Sequence, residues 1–121
     1  MEMDGKVFDK PKTIAEAKAR LWDMRGKSHR LIGAVCTLAP NGSVWSHTST
    51  TNLWVRDFSE DFLEAYLARE GEELLFSVGA YKFEGLGAQL FSRVEGDFFS
   101  ILGLPLLPLL GQLRAMKAIQ T

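Results

Sequence analysis

Between Ser77 and Pro105 the chain reads SVGAYKFEGLGAQLFSRVEGDFFSILGLP, with glycines at 79, 85, 87, 96 and 103 and Gly71 just upstream. These are six of the chain's eleven glycines. Glycine costs least where φ must be positive or where a ligand or a second backbone comes close. Here the glycines alternate with apolar residues and with three carboxylates, Glu84, Glu95 and Asp97. An ordinary helix or a plain strand is not written this way. The pattern predicts short elements joined by tight turns, and it suits both a ligand-approach region and a well-packed set of turns.

The chain's 121 residues predict one domain, 1–121, large enough for one core. Fourteen basic and fifteen acidic residues leave a net charge of −1. There is no polybasic field to hold a nucleic-acid polymer. The lone Cys36 has no partner for an internal disulfide, no Cys/His cluster has zinc spacing, and a reducing, cytoplasmic compartment fits. The most apolar run, Phe98–Leu110, is too short to span a bilayer and is broken by Pro105 and Pro108. It is expected to be buried, and no membrane partner is expected.

Met1–Asp9 carries a turn at Asp4-Gly5, as if one strand ended and another began there. Thr13-x-x-Glu16 is a capping box, and Ile14, Ala17, Leu21 and Met24 form the apolar stripe of a helix near 14–25 that Gly26 stops. Arg30–Leu38 reads as a strand and Asn41-Gly42 as a hairpin turn. A second strand is expected near 43–56, with interruptions. Ser59 caps a helix near 60–69 whose buried face is Phe62, Leu63, Tyr66 and Leu67. Pro105 opens a last helix, near 105–117, with Leu106, Leu109, Leu110 and Leu113 facing inward. The order is α/β or α+β with a partly antiparallel sheet.

The candidates for chemistry are few. His29 and His47 are isolated, with no triad or metal motif near them, and are expected to be structural or superficial. Lys10 precedes a proline close to a helix N-terminus. It suits a phosphate, or is simply a solvated turn lysine. Glu84 lies between Phe83 and Gly85, where an acceptor-only carboxylate suits a ligand edge with two donors. Glu95 and Asp97 flank Gly96 and fit a solvated turn equally well. The three tryptophans and eight phenylalanines are expected mostly in the core.

Five segments occur in a familiar order: Asp4-Gly5…Asp9-Lys10-Pro11, Arg25-Gly26-Lys27-Ser28-His29, Trp45…His47…Thr51…Val55-Arg56-Asp57-Phe58-Ser59, Gly79-Ala80-Tyr81-Lys82-Phe83-Glu84-Gly85-Leu86-Gly87, and Glu95-Gly96-Asp97-Phe98…Gly103-Leu104-Pro105-Leu106. Together they resemble the Maf family, named for septum-formation inhibition, whose members act as nucleoside triphosphate pyrophosphatases. The resemblance covers essentially the whole chain. It implies an α/β fold similar to the inosine-triphosphate pyrophosphatases, an elongated twisted mixed sheet with flanking helices. It also implies hydrolysis of a nucleoside triphosphate to monophosphate and pyrophosphate with Mg²⁺ or Mn²⁺. Lys10 falls at the family's phosphate-side lysine. Glu84 falls at the position that separates subgroups, with glutamine in members preferring thymidine and uridine triphosphates and glutamate in members resembling 7-methyl-GTP pyrophosphatases.

The resemblance also implies what these residues lack. The family's Ser-x-Ser-Pro-Arg phosphate loop and the aspartate that activates water would precede Met1. The chain is thus expected to correspond to the C-terminal part of such a protein, with no catalytic residue of its own and little activity. Open sheet edges and a bare apolar face are expected to drive self-association, with a homodimer as its simplest form.

Overall fold

A computed structural model describes residues Met1–Thr121. The first strands, β1 (Glu2–Met3) and β2 (Lys6–Val7), turn at Asp4-Gly5 as expected. Helix α1 (Ile14–Met24) begins where Thr13 Oγ1 accepts the Glu16 N–H at 3.1 Å. The Glu16 carboxylate reaches back to the Lys12 N–H, one residue short of a strict capping box. Ala17, Leu21 and Met24 are buried along its stripe and Ile14 is half-buried. Helix α2 (Glu60–Glu70) is capped by Ser59, whose Oγ accepts the Phe62 N–H at 3.1 Å. Leu63, Tyr66 and Leu67 are its buried face.

Strands β3 (Ser28–Leu38) and β4 (Val44–Val55) form one long hairpin, paired without interruption from Leu38↔Val44 to Ser28↔Trp54. The loop between them holds Pro40-Asn41-Gly42, where Gly42 has φ +85° and Asn41 Oδ1 accepts the Ser43 N–H at 3.0 Å. The expected interruptions in the second strand are absent: Val44, Thr48, Thr50, Thr51 and Val55 are β-branched, and with Trp45 and Trp54 they suit the ladder. Strand β5 (Phe91–Glu95) completes a five-stranded sheet of order β2-β1-β3-β4-β5. The expected α/β architecture of a sheet with flanking helices is present, and within residues 1–121 every ladder is antiparallel.

The glycine-rich stretch is indeed a run of short pieces. Two 3-10 segments, Gly71–Phe76 and Leu86–Leu90, lead into β5, followed by α3 (Phe98–Leu102) and α4 (Leu106–Ala115). Asp97 caps α3, accepting the Ser100 N–H at 3.0 Å and its Oγ–H at 2.8 Å. Glu95 pairs with Arg93 at the surface. Glu95 thus ends β5 at the surface and Asp97 is a half-buried helix cap, rather than either being a solvated turn residue.

Burial departs from expectation. Only 20 of 121 residues are buried, gathered where α1, α2 and the loops after α2 meet the base of the hairpin. Of the run Phe98–Leu110 only Pro105 is buried, and Leu106, Leu109, Leu110 and Leu113 are half-exposed. Helices α3 and α4 reach the outer hairpin with one side and leave the other uncovered. None of the three tryptophans is buried, and Phe58 is the one buried phenylalanine. Trp22 lies under the Arg25 guanidinium at 4.0 Å and Trp54 under that of Arg93 at 4.6 Å. These rings serve as platforms for cations at the rim of the fold. The even-numbered residues of the hairpin from Arg30 to Thr50 are all exposed, so one face of the outer sheet carries no covering element.

Candidate functional site

One cleft, of about 520 Å³, brings together Lys10 and Glu84, while His29, His47, Glu95 and Asp97 lie outside its lining. Lys10 enters it from the loop before α1, and Leu31 from β3. Residues 76–79 and 81–84 form one wall, and Ile101, Leu102 and Gly103 at the end of α3 form another. Its walls are largely apolar, and its charged groups are Lys10, Lys82 and Glu84. This is the usual make-up of a small-molecule site, an apolar container with a few placed polar groups. Lys10 and Glu84 thus share one cavity although they lie far apart in sequence.

Arg20 positions the Lys10 side. Its guanidinium, nearly buried, donates to the Asp9 carbonyl and, at 2.6 Å, to the Val78 carbonyl. It therefore ties the residue next to Lys10 to the opposing wall. Glu16 lies 3.5 Å away and completes its charge balance. Sequence reading did not find Arg20, since a donor to main-chain carbonyls leaves no motif.

Tyr81 positions the other wall. Its ring is buried and its hydroxyl lies 2.8 Å from His29 Nε2. The Tyr81 carbonyl accepts the Ser77 hydroxyl at 2.6 Å, and the preceding carbonyl, of Ala80, accepts the Tyr66 hydroxyl at 3.3 Å. Ala80 has φ +58°, a strained value for a residue with a Cβ. Two glycines are required by packing here. A Cβ on Gly79 would sit 2.1 Å from the Tyr81 ring, and one on Gly87 would sit 2.3 Å from the Lys82 carbonyl oxygen. Both distances are far inside contact, so the loop closes this tightly only with glycine at these places.

His29 is structural, as expected, and deeply so. It is 2% exposed, packed near Tyr81 and Phe91, and its Nδ1 has no partner. Burial lowers its pKa to about 4, so the ring is neutral at ordinary pH. Burial likewise holds the Tyr66 and Tyr81 hydroxyls protonated, raising both pKa values. His47 is half-buried, stacks on Trp45 at 6.0 Å and lies outside the cleft lining.

Glu84 is exposed at the cleft and makes no hydrogen bond or ion pair within the chain. Lys82 next to it is engaged by Glu73 at 2.5 Å. That bond, with added fields from Glu84 and Glu70, holds the ammonium above the usual lysine range. No group of three His, Cys, Asp or Glu side chains converges anywhere in the chain. One carboxylate facing two ammonium groups is not a donor set that holds a divalent cation by itself. No helix is long and apolar enough to cross a membrane.

A family profile described as "Maf-like protein" matches residues 2–116. A nucleoside triphosphate pyrophosphatase from Granulibacter bethesdensis is 53% identical over 116 residues, covering 96% of this chain and 59% of that protein. A 7-methyl-GTP pyrophosphatase from Rhizobium meliloti is 46% identical over 119 residues, 98% of this chain and 60% of its own length. A nucleoside triphosphate pyrophosphatase from Gluconobacter oxydans is 49% identical over 119 residues, 98% and 59% respectively. The chain thus spans about three-fifths of the length of these relatives.

Proposed function

This chain belongs to the Maf-like protein family, and from that membership we propose that its cleft receives a nucleoside triphosphate and reads its base with Glu84. The observation that carries the reading is the meeting of Lys10 and Glu84 in one apolar-walled cleft. Lys10 meets the phosphates as a point charge. Glu84 meets the base. An ionised carboxylate offers two acceptors, which match the neighbouring N1–H and N2 amino donors of guanine. Uracil and thymine place carbonyls on either side of a single N–H, and a carboxylate repels them. Methylation at N7 makes guanine cationic, which a carboxylate favours further. The preferred nucleotide is therefore 7-methyl-GTP or a related modified purine triphosphate rather than dTTP.

The reaction in this reading is hydrolysis to nucleoside monophosphate and pyrophosphate, with Mg²⁺ or Mn²⁺ as the divalent cation that would offset the charge of the phosphates. The cleft's titratable groups are Lys10, Tyr81, Lys82 and Glu84. With Glu84 on the base, no carboxylate of the cleft lining is left to activate water, so in this reading the cleft binds the nucleotide without supplying the general base. That same observation favours a second reading, a nucleotide-binding or interaction module without turnover. Cys36, exposed and unpaired, suits a reducing cytoplasm. No nucleic-acid polymer or membrane is part of either reading.

The test is calorimetric titration of the 121-residue chain with 7-methyl-GTP, GTP, UTP and dTTP. Binding should rank purine above pyrimidine, and Glu84→Gln should compress or reverse that ranking. An unchanged ranking in the variant would remove Glu84 from base recognition.

A further inference from the structure

Resting on that reading, we propose that Lys82 is a second base-reading residue: its ammonium lets go of Glu73 and donates a hydrogen bond to O6 of the guanine ring. The edge of guanine presents an acceptor, O6, beside two donors, N1–H and N2–H. Glu84 answers the two donors and leaves O6 without a partner. A base drawn into an apolar cleft with O6 unpaired forfeits the hydrogen bond that water gave it. The only donors with a positive charge in the cleft are Lys10 and Lys82. Arg20 ties the loop beside Lys10 to Val78, which precedes the Tyr81 anchor in the chain, whereas Glu84 follows it. Lys82, by contrast, stands two residues from Glu84 on the same wall and senses the Glu84 charge.

Lys82 is also free to make the exchange. Its partner Glu73 lies outside the cleft lining, and both side chains are well exposed, 42% and 60%. An exposed ion pair of this kind is held weakly. Its backbone is fixed, however, since Gly87 packs directly on the Lys82 main chain. A rigid base with a mobile ammonium suits a residue that changes partner when a ligand arrives. Uracil repeats the O6 and N1–H pair as O4 and N3–H and differs in setting a second carbonyl, O2, where guanine has its N2 amino group, so Glu84 carries the discrimination against uracil while Lys82 serves the acceptor beside it.

The experiment is calorimetric titration of the 121-residue chain and its Lys82→Met variant with GTP, ITP and inorganic triphosphate. Inosine retains O6 and N1–H and lacks the N2 amino group, and inorganic triphosphate has no base. Lys82→Met should weaken GTP and ITP alike, by about tenfold, and leave inorganic triphosphate unchanged. The GTP-to-ITP ratio should stay constant in Lys82→Met and shrink in Glu84→Gln. A second variant, Glu73→Gln, removes the competing partner and should tighten GTP and ITP severalfold without affecting inorganic triphosphate. Equal losses for all three ligands in Lys82→Met would make Lys82 a phosphate ligand and overturn the proposal, as would no loss at all. If Glu84→Gln alters the ranking while Lys82→Met does not, the base-reading cleft stands and the role of Lys82 falls. If the unsubstituted chain binds none of the three, both fall together.

Discussion

His29 Nε2 and Tyr81 Oη lie 2.8 Å apart, joining the start of β3 to the glycine-rich wall of the cleft. The bond crosses 52 residues of sequence and is enclosed in the core. A neutral imidazole suits it, and a charged one would be buried without a counter-ion.

This gives a pH dependence of stability. The pKa of His29 is about 4 in the fold and 6.5 in its absence. Between those values the unfolded chain binds a proton that the native chain does not, so stability rises with pH across the window. The contribution is fully present above pH 6.5 and is lost progressively as the pH falls to 4. It amounts to about 3 kcal/mol at most. Urea unfolding at a series of pH values should show this slope, and His29→Gln, which retains a donor and an acceptor, should flatten it. A parallel slope in the variant would assign the effect to other groups.

Arg20 should matter to the cleft without lining it. Arg20→Met keeps the aliphatic stem and removes the donors to Asp9 and Val78. Stability should fall by about 2 kcal/mol, the range for a charged donor on a carbonyl. Because the tether ends beside Lys10, triphosphate binding should weaken more than nucleoside binding. Lys10→Met should reproduce that difference with almost no change in stability.

Gly87→Ala tests the tight turn. Its Cβ would meet the main chain of Lys82, which cannot swing aside. Destabilisation of about 1–3 kcal/mol is expected, as for other overpacked sites. Gly111→Ala is the control, since a Cβ there meets nothing within 4 Å. Thermal melts of the two variants should separate clearly.

Turnover is expected to be absent. Pyrophosphate release from 7-methyl-GTP by the 121 residues, with Mg²⁺ or Mn²⁺, should not exceed the protein-free rate, because no carboxylate in the cleft is left to activate water. Sustained release that survives Glu84→Gln would show that another group serves as the base.

The uncovered hairpin face should make the chain associate. Ile32 at 51% exposure, Leu38 at 73% and Val44 at 67% all project from it, and Ile119 and the outer sides of α3 and α4 add further apolar surface. Sedimentation should find dimers or larger species that Ile32→Lys and Leu38→Lys together convert to monomer. A monomer before substitution would show the face to be inert.

Local signals in the sequence located most elements. Thr13, Ser59 and Gly26 bound the first two helices, and Pro40-Asn41-Gly42 placed the hairpin loop. Those features work within a few residues, so a linear reading reaches them. Burial was less legible. The leucines of α4 have the spacing of a core helix, yet apolar spacing says which side faces a neighbour and not whether the neighbour covers it. The site was half legible. Lys10 and Glu84 stood out by their neighbours in sequence, and both line the cleft. Arg20 and the His29–Tyr81 bond did not, because their partners are set by the packing of distant segments.

The length of the β3–β4 hairpin also divides the molecule mechanically. Its ladder runs unbroken to Leu38↔Val44, while full burial along it ends at Thr51 on one strand and His29 on the other. Beyond that line little but pairing and the inner sides of α3 and α4 hold the strands together. Amide hydrogens near Cys36 and Ser46 should therefore exchange through local fraying, and those near Leu53 only when the whole core opens. Residues 39–43 at the tip then become a place to insert a tag or a reporter domain, with the cleft some distance down the ladder left undisturbed.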